Sequence, residues 1–254
     1  MGCTTCRKSN LTIEESVLLP LERSLGFSKF PSVEVDRILY RHSNLCKMSE
    51  PQLRKACKNL LFDYKDMKFF FARFSDGELF YTRKLNCVGI ILGKGSDDIK
   101  ASLLFKNYDV DISQTLDKNE IETLVGDILT VSCRIIPGYA VSIDPGNKEL
   151  IEYASKISQV EKVLIKHYSN LLLENHTYIT EKEFYKAFKI DAVRYLLYSS
   201  DMRKYAFDIY SKIERPAKIV IGRMNSIDTN EHSEIFDRIE KKRNQTKRSL
   251  SCPP

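Results

Sequence analysis

A short polar stretch, residues 109 to 120, carries oxygen-bearing side chains at alternating positions. Its candidate metal ligands are Asp109, Asp111, Ser113, Thr115, Asp117 and Glu120. Calcium is a hard cation that takes about six to eight oxygen ligands, and one common loop supplies them from positions 1, 3, 5, 7, 9 and 12. In that pattern Thr115 offers its backbone carbonyl, Asp117 a direct or water-bridged contact, and Glu120 both carboxylate oxygens. The spacing therefore predicts a site for Ca²⁺ as a cofactor.

Amphipathic helices are predicted on both sides of this stretch, because apolar residues recur there at spacings of three and four. The apolar face of the incoming helix is formed by Ala101, Leu104, Phe105 and Tyr108. The apolar face of the outgoing helix is formed by Ile121, Leu124, Val125, Ile128 and Leu129. We therefore expect a helix-loop-helix unit whose loop holds the ligands.

Two positions inside the loop have structural requirements of their own. Gln114 occupies the sixth position, where a sharp left-handed turn normally requires Gly. A residue with a Cβ costs roughly 1–2 kcal/mol in that conformation, so we expect a weakened site. Leu116 occupies the eighth position, where an apolar residue lets two loops pair through a short strand.

The loop has the length and pattern of an EF-hand, and the chain resembles the four-EF-hand sensors of the recoverin and calcineurin B-like type. The resemblance is carried by the loop and by the segments that precede it, Lys84-Leu85, Gly95-Ser96-Asp97-Asp98-Ile99-Lys100 and Leu104-Phe105-Lys106-Asn107-Tyr108-Asp109. The resemblance implies three further loops, at residues 41–52, 73–84 and 172–183.

These three further loops match the EF-hand pattern poorly. Their eighth positions are apolar, being Met48, Phe80 and Ile179. Their first or last positions lack the acids that calcium needs, since they hold Arg41, Gln52, Arg73, Lys84 and Leu172. Glu183 at the end of the last loop is the exception. At most one loop, residues 109 to 120, is predicted to bind Ca²⁺.

The N-terminus, Met1-Gly2-Cys3-Thr4-Thr5-Cys6-Arg7-Lys8, resembles an N-myristoylation sequence. Removal of Met1 exposes Gly2 to myristate, although Cys6 stands where Ser or Thr is usual. One myristoyl chain binds membranes only marginally, so a second signal is needed, and Cys3 and Cys6 are candidate palmitoylation sites. We expect peripheral attachment to the cytoplasmic face of a membrane. The alternative is an unmodified terminus in which Gly2 is coincidental.

The predicted fold class is all-α, or mainly α, built from paired EF-hand units with short β-ribbons between paired loops. Along the chain we expect an acylated N-terminal segment (1–30), a degenerate EF-hand pair (31–95), an EF-hand pair with a long internal linker (96–190), a C-terminal helical extension (191–222) and a disordered basic tail (223–254).

The C-terminal extension shows helical spacing of its apolar residues, which are Val193, Leu196, Leu197, Tyr205, Ile209 and Ile213. This spacing predicts one or two amphipathic helices, with Ser200 or Asp201 as an N-cap between them. The extension either lies in a hydrophobic groove, as in the resembled family, or completes the core.

Composition narrows the classes of function. The formal net charge of +6, from 40 Lys and Arg against 34 Asp and Glu in 254 residues, is too mild for a dedicated nucleic-acid binder. Seven scattered cysteines form neither a disulfide framework nor a zinc-ligand pattern. We expect the thiols at residues 46, 57, 87 and 133 to be buried, and the aromatic run Phe69-Phe70-Phe71 with Phe74 to belong to the core.

Membrane-spanning and catalytic roles are not predicted. The longest apolar stretch, around Val88 to Leu92, is far shorter than the roughly 18 residues that indicate a transmembrane helix. The segment Gly93-Lys94-Gly95-Ser96 lacks the spacing of a phosphate-binding loop.

Two functions fit these patterns. The first is a membrane-anchored EF-hand calcium sensor that acts by calcium-dependent binding of a partner protein, whose contacting element is an amphipathic helix. The alternative is a structural or adaptor protein that keeps the EF-hand architecture and no longer binds calcium. In both cases we expect no enzymatic activity and no nucleic-acid partner.

Overall fold

The structure of the chain is a computed structural model that describes residues 12–174 and 176–220. It is mainly α-helical, as the sequence predicts. The helices are α1 (Ile13–Ser24), α2 (Ser32–His42), α3 (Glu50–Asn59), α4 (Tyr64–Phe71), α5 (Thr82–Leu92), α6 (Asp97–Tyr108), α7 (Lys118–Leu129), α8 (Ile136–Ile143), α9 (Lys148–Gln159), α10 (Glu161–Leu173), α11 (Glu181–Ala187), α12 (Asp191–Arg194) and α13 (Ser199–Val220). Short 3₁₀ turns cover Phe27–Lys29, Ala72–Phe74 and Tyr195–Leu197.

Four short strands pair in two antiparallel ladders within the described residues. The strands are β1 (Lys47–Ser49), β2 (Leu79–Tyr81), β3 (Thr115–Asp117) and β4 (Tyr178–Thr180). In the first ladder Met48 lies opposite Phe80, and in the second Leu116 lies opposite Ile179. The four residues that the sequence assigns to the eighth loop positions are therefore the ones that face each other.

The helices on either side of the ladders form the core. The incoming and outgoing helices of the third loop are α6 and α7, and all nine residues predicted for their apolar faces are buried. Helix α7 packs against α10, and α2 packs against α5. The α2–α5 approach requires Gly89, because a Cβ there would lie 2.4 Å from Cγ1 of Val35.

The connection after α7 is helical, although the sequence predicts a long linker in this region. A π-helical segment, Thr130–Ile135, joins α7 to α8, so that one helix of 26 residues runs from Lys118 to Ile143. Pro137 has no N–H to donate to the carbonyl of Cys133, and the helix departs from α geometry beside this position. Among the described residues this helix is the one long and apolar enough to cross a membrane, with a mean hydropathy of 1.4, and 67% of its apolar window is buried inside the protein.

Helix α1 lies within the predicted N-terminal segment and was not predicted. Thr12 caps it by accepting a hydrogen bond from the backbone N–H of Glu15. Its buried residues include two carboxylates, Glu15 and Glu22, and both of them contact Arg203 of α13. The C-terminal helix therefore packs on the N-terminal one through buried charges.

Three finer predictions are wrong in this structure. Helix α13 begins at Ser199, so Ser200 and Asp201 lie inside its first turn and are not N-caps. Cys46 is exposed, whereas the other three thiols of its predicted set are buried. Phe69 is 77% exposed because it points away from the face on which Phe70, Phe71 and Phe74 pack.

Two groups of predicted features lie outside the described residues. The first is the acylation segment with Gly2, Cys3 and Cys6, and the second is the basic tail at 223–254. The packing described here belongs to the compact unit that ends at Tyr210, and residues 211–220 are described only as the continuation of α13.

Candidate metal centre

The loop between α6 and α7 is held at both ends by helix caps. Asp109 is the C-cap of α6 and donates its backbone N–H to the carbonyl of Phe105. Asp117 is the N-cap of α7, and its side chain accepts the N–H of Glu120 at 2.8 Å. The buried hydroxyl of Tyr108 donates to Asp127 at 3.0 Å, which ties the end of α6 to the body of α7. Two firmly packed helices thus fix the loop.

Three carboxylates from opposite ends of the loop converge. One oxygen each of Asp109, Asp111 and Glu120 lies within 4.8 Å of the others. In the described part of the chain this is the one such group of His, Cys, Asp or Glu side chains found. Three anionic groups at this separation repel each other in the absence of compensating positive charge.

Backbone N–H groups surround the first two carboxylates. Asp109 accepts hydrogen bonds from the N–H of Ser113 at 2.9 Å and from the N–H of Gln114 at 3.1 Å. Asp111 accepts from the N–H of Ser113 at 3.0 Å. Hydrogen bonds from the side chain and backbone of Ser113 lower the pKa of Asp111, so this carboxylate is ionised at neutral pH.

The side chains of Ser113 and Thr115 contact each other. The hydroxyl of Ser113 donates to the carbonyl oxygen of Thr115 at 3.0 Å and lies 2.9 Å from its hydroxyl. The same hydroxyl lies 3.5 Å from Asp109. The carbonyl of Thr115, which is predicted to act as a ligand, therefore accepts a hydrogen bond from the side chain of Ser113.

Glu120 closes the loop. One of its oxygens accepts the N–H of Val110 at 3.0 Å, and the other accepts the N–H of Asp117 at 3.0 Å. Glu120 and Asp117 thereby form a reciprocal capping box at the start of α7. Of the six predicted ligands, the structure brings Asp109, Asp111 and Glu120 into one cluster, places Ser113 and Thr115 beside it, and directs Asp117 toward the helix N-terminus.

The backbone of the loop is left-handed at two residues. Gln114 has φ +62°, as its sixth position predicts. Ile112 has φ +59° and is 82% exposed, and this second site of strain was not predicted. A β-branched residue in this region is a genuine outlier, because its side chain crowds the backbone. The EF-hand pattern requires glycine at the sixth position, so it gives no signal for a left-handed backbone at Ile112.

In two of the other three loops an acid contacts groups of the protein itself. In the second loop, Asp76 accepts from the N–H of Leu79 at 3.1 Å and lies 3.6 Å from Nζ of Lys47. In the fourth loop, Glu183 accepts from the backbone N–H and the hydroxyl of Thr180, at 3.0 and 2.7 Å. Leu172 belongs to helix α10.

The buried thiols are not set up for nucleophilic chemistry. Burial raises the pKa of both Cys57 and Cys133 to about 12, which keeps them protonated at neutral pH. The pKa of Cys87 is also raised by burial.

No protein-family model matches this chain, and no curated protein matches it either. Its function is therefore inferred from the geometry of its own residues.

Proposed function

We propose that this protein is a membrane-anchored EF-hand calcium-binding regulatory protein that acts by calcium-dependent binding of a partner. One observation carries the proposal: three carboxylates converge within 4.8 Å in a loop of EF-hand length. Supporting it, the eighth residue of this loop lies opposite the eighth residue of another loop. The finer fold assignment, two EF-hand pairs, belongs to the same proposal.

Helix capping accounts for only part of the acidic pattern. The same capping box, at the ninth and twelfth loop positions, occurs at Ser49 with Gln52 and at Thr180 with Glu183. The 41–52 loop has Arg41 and Ser43 at its first and third positions, and the 172–183 loop has Leu172 at its first, so capping does not require acids at both positions. Asp109 and Asp111 therefore need another explanation, and a hard cation supplies one.

Ion binding at the loop affects the helices through Glu120. A bound Ca²⁺ takes both oxygens of Glu120 as a bidentate ligand. Those oxygens now accept the N–H groups of Val110 and Asp117. Because Glu120 is in the first turn of α7, moving its carboxylate onto an ion changes the angle between α6 and α7 and opens a groove for an amphipathic helix of a partner.

The membrane anchor is proposed from the N-terminal sequence alone. Myristate on Gly2 with palmitate on Cys3 and Cys6 supplies the two signals that stable attachment needs. The site of action is then the cytoplasmic face of a membrane.

A second function is favoured by the other three loops. In these loops Lys47 contacts Asp76 and Thr180 contacts Glu183, as expected of an EF-hand protein retained for packing. In this alternative the protein is an adaptor and the third loop no longer binds calcium.

Calorimetric titration with calcium in physiological magnesium separates the two functions. We expect one-site binding that is lost in Glu120→Gln. Gln52 fills the equivalent position of a capping box in α3, so glutamine preserves the cap and the fold. The matched control is Glu122→Gln, which removes a half-exposed charge two residues farther along α7, where Glu122 pairs with Lys118 at 3.8 Å. Absence of heat in the wild type up to millimolar calcium would favour the adaptor.

A further inference from the structure

Two large apolar side chains are exposed in this region, one in the turn between α3 and α4 and one on α4 itself. Leu61, in the turn between the helices, is 85% exposed, and Phe69 on α4 is 77% exposed. The neighbours of Leu61 face inward: Leu60 is buried, and the ring of Phe62 lies 5.0 Å from that of Phe27. The chain therefore presents Leu61 outward while its neighbours pack.

The backbone at Leu61 is strained. Its φ is +53°, a left-handed conformation that favours Gly or Asn over Leu. The helices on either side do not require a leucine at this position, since its side chain is almost wholly exposed. The side chain of Leu61 is therefore left free to contact a binding surface.

Positive charge is concentrated around these two side chains. Residues 54 to 74 contain six basic and two acidic side chains, all of them exposed: Arg54, Lys55, Lys58, Lys65, Lys68 and Arg73 against Asp63 and Asp66. Lys65 precedes Phe69 by four residues on α4 and therefore lies on the same side of that helix. Asp63 is occupied as the N-cap of α4, where it accepts the N–H of Lys65 at 2.8 Å.

We propose that this corner binds the surface of an anionic lipid bilayer. We call Lys58, Leu61, Lys65, Lys68 and Phe69 the basic corner. Leu61 and Phe69 enter the boundary between headgroups and acyl chains, while the lysines contact anionic headgroups. Lysine is depleted at protein–protein interfaces, so apolar residues surrounded by lysines fit a lipid surface better than a protein partner.

The basic corner adds two details to the proposed attachment to a membrane, which are a second contact surface and a preference for anionic lipids. It rests on the proposed function only in that both place the protein at a membrane. A single acyl chain holds a protein weakly, and a polybasic apolar surface is one of the signals that makes attachment stable.

The test is co-sedimentation of full-length protein, made without acylation and held in a calcium chelator, with phosphatidylcholine vesicles that contain or lack phosphatidylserine. We expect binding that requires phosphatidylserine. Lys65→Gln combined with Lys68→Gln lowers the partition coefficient about 30-fold, and Leu61→Asn lowers it about tenfold. Asparagine tolerates the left-handed backbone, so Leu61→Asn keeps the fold.

Leu45→Asn is the matched control. Leu45 has φ +48° and is 92% exposed, so it shares the residue type, backbone and exposure of Leu61 outside the basic corner. We expect wild-type binding from this variant. Equal binding to both kinds of vesicle, or wild-type binding by the Leu61 and lysine variants, would overturn the proposal. Because acyl chains and calcium are both absent from the assay, neither result depends on whether the calcium site or the acylation exists.

Discussion

Glu120 caps a helix and closes the acidic cluster with the same carboxylate. The capping box explains why a carboxylate or amide recurs at the twelfth loop position in three of the four loops. It does not explain the two aspartates at the other end of the third loop. At the residue scale, the case for an ion therefore rests more on Asp109 and Asp111 than on the residue that looks most diagnostic.

Replacing Gln114 tests the strain in the loop. With φ at +62°, Gln114→Gly relieves roughly 1–2 kcal/mol of steric cost and loses about 0.5–1 kcal/mol through the greater freedom of the unfolded chain. We expect a net gain of about 0.5–1 kcal/mol in the free energy of unfolding, measured by urea denaturation. Gln114→Ala keeps the Cβ and should give no such gain. A loss of stability in the glycine variant would contradict the assigned backbone.

Lys100 makes a specific prediction about pH. Its ammonium is buried and donates to the carbonyl of Ile91 at 2.9 Å, above the ring of Tyr198. Burial lowers its pKa from 10.5 to about 8, against an opposing effect of Asp97. Between these values the unfolded chain binds more protons than the folded one, so the contribution of Lys100 to stability rises with pH.

The variant Lys100→Met isolates this effect. Subtracting its free energy of unfolding from that of the wild type cancels the contribution of tyrosines and cysteines, which titrate in both proteins. We expect the stability of the wild type relative to the variant to increase by about 2–3 kcal/mol between pH 7 and pH 10. Urea denaturation at several pH values measures it. A difference that stays flat with pH would show that Lys100 titrates normally.

At the scale of elements, α13 is fixed to α1 by a buried ionic cluster. Arg203 donates two hydrogen bonds to Glu15, at 2.6 and 2.8 Å, and one to Glu22 at 2.5 Å. Tyr153 of α9 also donates to Glu15, and Ser199 donates to Glu22. Three helices distant in sequence thus meet at one guanidinium that is wholly buried.

Removing the guanidinium should destabilise the protein strongly. Arg203→Met leaves two buried carboxylates without a counter-ion, which costs about 3–5 kcal/mol in the free energy of unfolding. Adding Glu15→Leu and Glu22→Leu removes the uncompensated charges, so the triple variant should recover most of the loss. Chemical denaturation of the three proteins checks this. A single variant as stable as the wild type would show that the cluster is not formed.

Sequence periodicity predicts the elements whose apolar residues repeat regularly. Helices α6 and α7 belong to this class, whereas the facing pairs Met48–Phe80 and Leu116–Ile179 follow from the loop positions that the EF-hand resemblance supplies. Helix α1 escaped prediction because its buried face carries Glu15 and Glu22, which look like solvent-exposed residues until Arg203 is known to meet them. A pairing across 188 residues leaves no local signal in a single sequence.

At the scale of the whole molecule, the long helix links the candidate site to the region of the basic corner. Helix α7 starts at the loop and continues through the π segment into α8. There the carbonyl of Gly138 accepts a hydrogen bond from Arg73 at 3.0 Å, and Tyr139 packs against Phe70. Helix α7 is therefore connected to α4 through the continuous helix to α8 and through the contacts of α8 with Phe70 and Arg73.

Attachment to the membrane should depend on Gly2. We expect Gly2→Ala, expressed in eukaryotic cells, to move most of the protein from the membrane pellet to the supernatant, because alanine is not an acceptor for myristate. Fractionation followed by immunoblotting measures it, with Thr4→Ala as the control in the same segment. Retention of the Gly2 variant in the pellet would mean that acylation is not the anchor.

The most direct test of the central claim is a calcium titration of the full chain followed by the NMR signals of its backbone amides. The amides of Val110, Ser113 and Gln114 donate to the carboxylates of Glu120 and Asp109. An ion bound by those carboxylates must change all three hydrogen bonds. We predict that these three signals shift together and saturate at one equivalent of calcium. Two results would contradict calcium binding in the third loop: no shift up to millimolar calcium, or shifts confined to residues 41–52, 73–84 or 172–183.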